Sequence, residues 1–337
     1  MRRLYDRIGV WLSAAASVAL PVLRRPWVRG LGLLIGVVLI AIGLLTGLQR
    51  VDFSSAFRSL GLRGLALALA LGALTTFLSA LGWALIVDAL TPHADVWRSL
   101  RSYFAALPLK YIPGSVWNHF GRAAWLAELS RLPPRDSTLS SSGGSGAMGV
   151  ALDFGWLLWS GMVATGVTAM LNPPRALSGV ISRGGLVAIA VMLTAISAAA
   201  PFVLYGLPGQ SAARSRWGFA IRLWSAHLLQ ILSWLAASAL LGYLVANLSF
   251  NPELQLDLGE SALALFAGIS TGLAVLFVPN GIGVREWVIG ATLSHIVPVE
   301  NGFAAGILHR MIVMSSELLI FLVMGVQFIF RRPISRD

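Results

Sequence analysis

Leu107-Pro-Leu-Lys-Tyr-Ile-Pro-Gly-Ser-Val-Trp-Asn-His-Phe-Gly-Arg122 sets the chain's only lysine, Lys110, beside a Pro113-Gly114 break and the polar residues Ser115, Asn118, His119 and Arg122. The rest of the sequence is oil by comparison, 57% hydrophobic and 12% charged. In hydrocarbon such polar groups are costly, and they normally face a cavity or a partner. A second interrupted stretch, Val278-Pro-Asn-Gly-Ile-Gly-Val-Arg-Glu286, lies near the other end. The chain is expected to fold so that these two stretches meet.

Working outward, several apolar runs exceed the roughly 20 residues that cross a bilayer, so the expected class is an all-α polytopic membrane protein. The 337 residues suit one bundle of transmembrane segments. The absence of cysteine excludes disulfides, thiolate metal sites and cysteine nucleophiles. The net charge of +11 comes from 24 arginines and one lysine against 14 acids. In so apolar a chain it marks cytoplasmic loops and anionic headgroups rather than nucleic acid.

Residues 1–29, flanked by arginines at both ends, read as a cytoplasmic or interfacial helix in preference to a signal peptide. Residues 30–331 form the single transmembrane domain and 332–337 a cytoplasmic tail. Full spans are expected at 30–48, 64–90, 144–171, 184–206, 219–248 and 303–330. This topology, with both termini cytoplasmic, puts 18 Lys and Arg residues inside and five outside, at Arg50, Arg58, Arg63, Arg175 and Arg183. That asymmetry satisfies the positive-inside rule. Residues 91–138 and 261–298 must each return to the face they left, yet both are apolar. Two re-entrant or broken helical hairpins, one from each face, satisfy this parity. Corresponding Gly/Pro interruptions in two halves are the pattern of inverted-repeat transporters. Ser140–Gly146 reads as a short flexible linker.

Each break carries chemistry. Pro113 pushes Ile112 out of helical geometry, Gly114 permits a sharp turn, and Ser115 is a natural N-cap for a helix running to about residue 130. On that helix His119 and Arg122 share a face. Free amides at the helix start, with Lys110 before and Arg122 after, make an anion site. Asn280-Gly281-Ile282-Gly283 is a second loop whose amides can turn inward, followed by Arg285-Glu286, which also reads as a mutually neutralising pair. Asp153 and Glu317 are candidates for coupling and are expected to pair with arginines such as Arg310, seven residues before Glu317. His227 and Gln230 suit an inter-helix hydrogen bond. His295 and His309 are expected near the outer face, where solvation is cheap, and no zincin-type spacing suggests a metal.

Lys110-Tyr-Ile-Pro-Gly-Ser-Val-Trp, with Gly121-Arg122 downstream, together with Pro279-Asn-Gly-Ile-Gly-Val-Arg-Glu286, resembles the lysylphosphatidylglycerol synthase transmembrane-region family. That family includes the flippase-like module of the multiple peptide resistance factor proteins and standalone members. The resemblance runs from about residue 30 to 330. It implies a polytopic module in a bacterial-type inner or plasma membrane that moves a lipid with a large polar head. Lys110, Pro113, Gly114, Trp117 and Arg122 match the first motif. Pro279, Gly281, Gly283 and Glu286 match the second, and Arg310 resembles an arginine of the last span. Many relatives carry a Glu-Arg pair before the aspartate corresponding to Asp153, where this chain reads Gly149-Val150. No soluble aminoacyl-transfer domain accompanies the spans, so synthesis of an aminoacyl lipid is not expected.

The leading expectation is a lipid translocase, not an enzyme, that holds a phosphate-bearing, aminoacylated or glycan-linked headgroup at mid-membrane. Its substrate-binding set is Lys110, Pro113, Gly114, Ser115, Trp117, Asn118, His119, Arg122, Asn280, Gly281, Gly283, Arg285, Glu286 and Arg310. No cofactor is expected. Membrane lipids are the expected partners, with lipid-modifying or glycosyltransferase enzymes of the same pathway as candidates. An intramembrane transferase would need clustered acids or a metal, and the loops offer only single acids such as Asp95, Glu128 and Asp136. A non-catalytic scaffold leaves Lys110, Arg122 and Arg285 without a purpose.

Overall fold

The structure is a computed structural model that describes residues 53–90, 96–111, 118–119, 121–122, 142–205, 215–248, 257–274, 281 and 283–325. The N-terminal helix at 1–29, the span at 30–48 and the tail at 332–337 lie outside the described residues. So do the site residues Pro113, Gly114, Ser115, Trp117 and Asn280.

Among the described residues every regular element is helical. In hydrocarbon each backbone group must find its partner within its own segment, and a helix does this. The elements are α1 (Phe53–Leu90), α2 (Val96–Ala106), a 3₁₀ turn (Leu107–Tyr111), α3 (Ser142–Leu171), α4 (Arg183–Tyr205), α5 (Arg216–Leu248), α6 (Leu258–Ala274), α7 (Val284–Leu293) and α8 (Val299–Ile320), the last ending in a π turn (Phe321–Gly325). Five helices are long and apolar enough to cross a membrane: Arg58–Leu90, Leu152–Leu171, Arg183–Tyr205, Arg216–Leu248 and Val299–Met324. They coincide with five of the six expected spans. α1 begins earlier than expected and is broken at Gly61, whose φ of 62° and ψ of 177° leave the helical region.

One expectation is corrected by the backbone. The Ser140–Gly146 linker is helical from Ser142 onward, as the first turns of α3. Glycine costs a helix about 1 kcal/mol relative to alanine. A backbone left unpaired near hydrocarbon costs several, so the helix extends through the glycines.

Burial follows the helical period. On α4 the buried positions are Leu186, Ala190, Leu193, Ser197 and Pro201, a stripe at spacings of three and four. Val191 and Met192 on its other side are more than half exposed, as side chains facing lipid should be. α5 is the central helix and packs most extensively along α1. Its Leu240, Leu241, Leu244 and Val245 join Ala264 and Leu265 of α6, Ile289 and Leu293 of α7, and Leu308 and Ile312 of α8 in the main core. A second cluster sets Trp83 and Val87 of α1 against Tyr103 and Phe104 of α2.

Lipid tails compete with such contacts, so polar rungs and close backbone approach add to the cohesion. The Ser79 hydroxyl lies 2.9 Å from that of Ser233 and donates to Gln230 Oε1 at 3.3 Å, joining α1 to α5. His227 contacts Ser160 Oγ at 2.9 Å and Ser197 Oγ at 3.1 Å, tying α5 to α3 and α4. A Cβ on Gly302 of α8 would fall 2.9 Å from the Gly290 Cα of α7, and one on Gly268 of α6 would fall 2.9 Å from the Arg285 carbonyl oxygen. α7 is therefore clasped between α6 and α8.

The two interrupted regions are built from short pieces. α2 has 11 residues, α6 has 17 and α7 has 10. At 1.5 Å per residue even α6 reaches only about 25 Å, short of a full hydrocarbon core. After the first break, Asn118-His119 and Gly121-Arg122 are again helical.

Candidate functional site

α8 is where the two interrupted stretches meet. It carries His309, Arg310 and Glu317, and all three are buried. From the first stretch, Lys110 Nζ donates to Glu317 Oε1 at 2.7 Å and the Tyr111 hydroxyl donates to Glu317 Oε2 at 2.6 Å. From the second, Glu286 Oε1 accepts from Arg310 Nη1 at 3.0 Å. The expected pairing of Arg310 with Glu317 or Asp153 is therefore corrected. Seven residues along a helix are about 10.5 Å of axial rise, too far for a hydrogen bond, and each group reaches across to another element instead.

The start of α7 explains the second stretch. Gly281 has φ +67° and a Cβ there would lie 2.5 Å from the Gly272 Cα, so the position admits no side chain. Gly283 caps α7, and its N–H donates to Glu286 Oε2 at 2.6 Å, one half of a capping box. Glu286 is thus occupied by the cap and by Arg310, and the expected neutralisation of Arg285 by Glu286 does not form.

Arg285 turns instead to His309, donating from Nη2 to Nδ1 at 3.0 Å. A guanidinium only donates, so Nδ1 is the acceptor and the ring proton sits on Nε2, which donates to the Ala237 carbonyl at 3.1 Å. His309 is therefore a neutral, buried group on the inner face of α8, not a solvated residue near the outer surface. Arg285 Nε is buried without a hydrogen-bond partner. Among the described residues Arg285 forms no ion pair. His295, about a quarter exposed, does lie in a separate cluster, 3.2 Å from Glu260 Oε1.

A second cluster forms around Asp153 of α3. Its Oδ2 accepts from Arg122 Nη1 at 2.6 Å and from His119 Nδ1 at 2.7 Å. The Arg122 guanidinium stacks over Tyr103 at 3.7 Å and lies 5.7 Å from the Trp83 ring. Among the described residues, the buried Asn118 Oδ1 and Arg122 Nε have no hydrogen-bond partner. Asp153 thus forms a charge network with the first stretch although the uncharged pair Gly149-Val150 precedes it.

Lys110 links the clusters, since it is within electrostatic reach of both His119 and His309. Among the described residues of the network Lys110, Arg122, Arg285 and Arg310 face Asp153, Glu286 and Glu317, a surplus of one positive charge. The pairs differ in access. The Lys110 side chain is 32% exposed, while those of Arg122 and Arg310 are below a tenth. Among the described residues no three His, Asp or Glu side chains group as metal ligands.

Tyr111, Tyr103, Trp83 and His309 belong to the network but not to the residues expected from the sequence. Tyr111 could have been found from its position immediately before the break, whereas Tyr103 lies a helix away, on α2. His309 adjoins Arg310, and its inward direction follows only from the packing of α8. Comparison with known proteins returns no matching family model, no matching curated protein and no matching solved structure.

Proposed function

We propose that the chain is a lipid translocase of the flippase type, which holds a phosphate-bearing headgroup between the two interrupted stretches while the acyl chains stay in the bilayer. The observation that carries this reading is Arg285, a guanidinium inside the bundle that makes no ion pair among the described residues. A buried guanidinium with no carboxylate in direct contact is costly in a low-dielectric interior and is normally matched by an anion. A phosphodiester carries one negative charge and would cancel the surplus of one. Arg285 would bind it through its planar donor fork, and Lys110, the most open cation of the set, would bind it as a point charge.

In this reading the segments around the breaks act as re-entrant or broken hairpins that bring the headgroup to mid-membrane depth, and both termini face the cytoplasm. Arg122, Glu286 and Arg310 hold the hairpins to α3 and α8 rather than touch the phosphate, because each is engaged and, unlike Lys110, almost wholly buried. The resemblance to the flippase-like module supports the lipid as the source of the anion.

The test is bleaching of fluorescent phosphatidylglycerol by dithionite in proteoliposomes. Wild type is expected to expose inner-leaflet lipid to the quencher, and Arg285→Ala to return the trace to that of protein-free vesicles. A wild-type trace no faster than empty vesicles refutes the reading.

A further inference from the structure

The network also constrains the chemistry of the head. Each carboxylate in it already accepts from two donors, one of them a cation: Asp153 from Arg122 and His119, Glu286 from Arg310 and the Gly283 N–H, Glu317 from Lys110 and Tyr111. Among the described residues, an ammonium entering the site would find each carboxylate of this network already engaged. Glu260 has a buried, unpartnered Oε2, but it belongs to the cluster with His295 at the start of α6. It lies 12 residues before Gly272, where Gly281 is packed, which is about 18 Å along the helix.

Among the described residues, what remains unpartnered on the first stretch is of a different kind. Arg122 Nε is a donor and Asn118 Oδ1 an acceptor, and both belong to side chains that are 5% exposed. They stand four residues apart, one helical turn, on the stretch that carries Lys110. A buried donor and a buried acceptor together match a hydroxyl, which donates once and accepts twice. An ammonium has only donors and would leave Arg122 Nε facing a second positive group.

We infer that the headgroup is a monoanionic phosphodiester bearing hydroxyls, a glycerol or sugar head, and not an amine-bearing one. Its phosphate sits at Arg285 and Lys110, and a hydroxyl donates to Asn118 Oδ1 while accepting from Arg122 Nε. The inference rests on the translocase reading and narrows it to a substrate class. No bond is made or broken. Selection comes from leaving buried polar atoms unpaired when the hydroxyl is missing, a penalty that discriminates more sharply than apolar fit.

The experiment compares three short-chain lipids on the purified full chain in detergent by titration calorimetry. They are dihexanoyl phosphatidylglycerol, phosphatidylethanol, which lacks the hydroxyls, and phosphatidylethanolamine. Phosphatidylglycerol is expected to bind at least about tenfold more tightly than either of the others. Asn118→Leu is expected to bring phosphatidylglycerol and phosphatidylethanol to within about twofold of one another. Equal wild-type affinity for those two would overturn the hydroxyl subsite while leaving the anion site standing. Tightest binding of phosphatidylethanolamine would overturn the exclusion of amines. Binding of none of the three removes the translocase reading and this inference together. The wild-type comparison decides the matter even where the variant does not fold.

Discussion

Removing the charge of Asp153 without changing its shape isolates what the buried pair does. Asp153 Oδ2 takes both contacts, from Arg122 Nη1 at 2.6 Å and His119 Nδ1 at 2.7 Å. In Asp153→Asn the amide oxygen can occupy that position and keep both hydrogen bonds, so the loss is electrostatic. The Arg122 guanidinium is then left buried beside a neutral amide, which costs about 3–5 kcal/mol. Arg122→Met alone strands the aspartate with His119 and costs a similar amount. The double variant strands neither charge. It loses the guanidinium stacked on Tyr103, about 1 kcal/mol, partly replaced by a thioether against the same ring. Its total cost is therefore expected near 1–2 kcal/mol, far below the sum of the single variants. The assay is thermal unfolding in detergent followed through the 12 tryptophans. At about 2 °C per kcal/mol each single variant melts about 8 °C lower and the double about 3 °C lower. A double variant that melts as low as the two singles summed would refute the buried pair.

Gly281→Ala places a Cβ 2.5 Å from the Gly272 Cα at a φ of +67°, and is expected to lower the melting temperature by several degrees; an unchanged melt would mean that α6 does not contact this loop. Glu286→Gln presents one acceptor and one donor to two donors, Gly283 N–H and Arg310 Nη1–H, so a loss of about 2–4 kcal/mol should appear in the same assay. Because the chain has no cysteine, single replacements report lipid exposure cleanly. Val191→Cys, on the open face of α4, spin-labelled in detergent and then reconstituted, should be relaxed by oxygen dissolved in the lipid, and Leu193→Cys, on its buried stripe, should be shielded; equal relaxation at both would refute the placement of α4.

The five spanning helices were legible because insertion depends on the local sequence. An apolar run of sufficient length satisfies its own backbone wherever it sits, so the run alone identifies the span. The same locality made the two interruptions visible as Pro113-Gly114 and Asn280 to Gly283, and it identified Arg285 and Lys110 as groups that hydrocarbon would not tolerate alone. It misled at Ser140–Gly146, where residue propensity suggested a linker and the demand for internal hydrogen bonds carried the helix on.

The pairing of the charges was decided only by the tertiary structure. Lys110 and Glu317 are 207 residues apart, Arg122 and Asp153 31, Glu286 and Arg310 24. Side chains on one helix meet only at separations of three or four, so no pattern along the chain could assign these partners. Glu317 and Arg310 looked like a pair in sequence and found separate partners from different stretches. The sequence by itself determined that the chain is built of apolar helices, five of them long enough to cross a membrane, and which polar groups hydrocarbon would have to accommodate. The packing of α7 and the 3₁₀ turn against α8 decided which of their charges neutralises which, and among the described residues of the network left Arg285 without an ion pair.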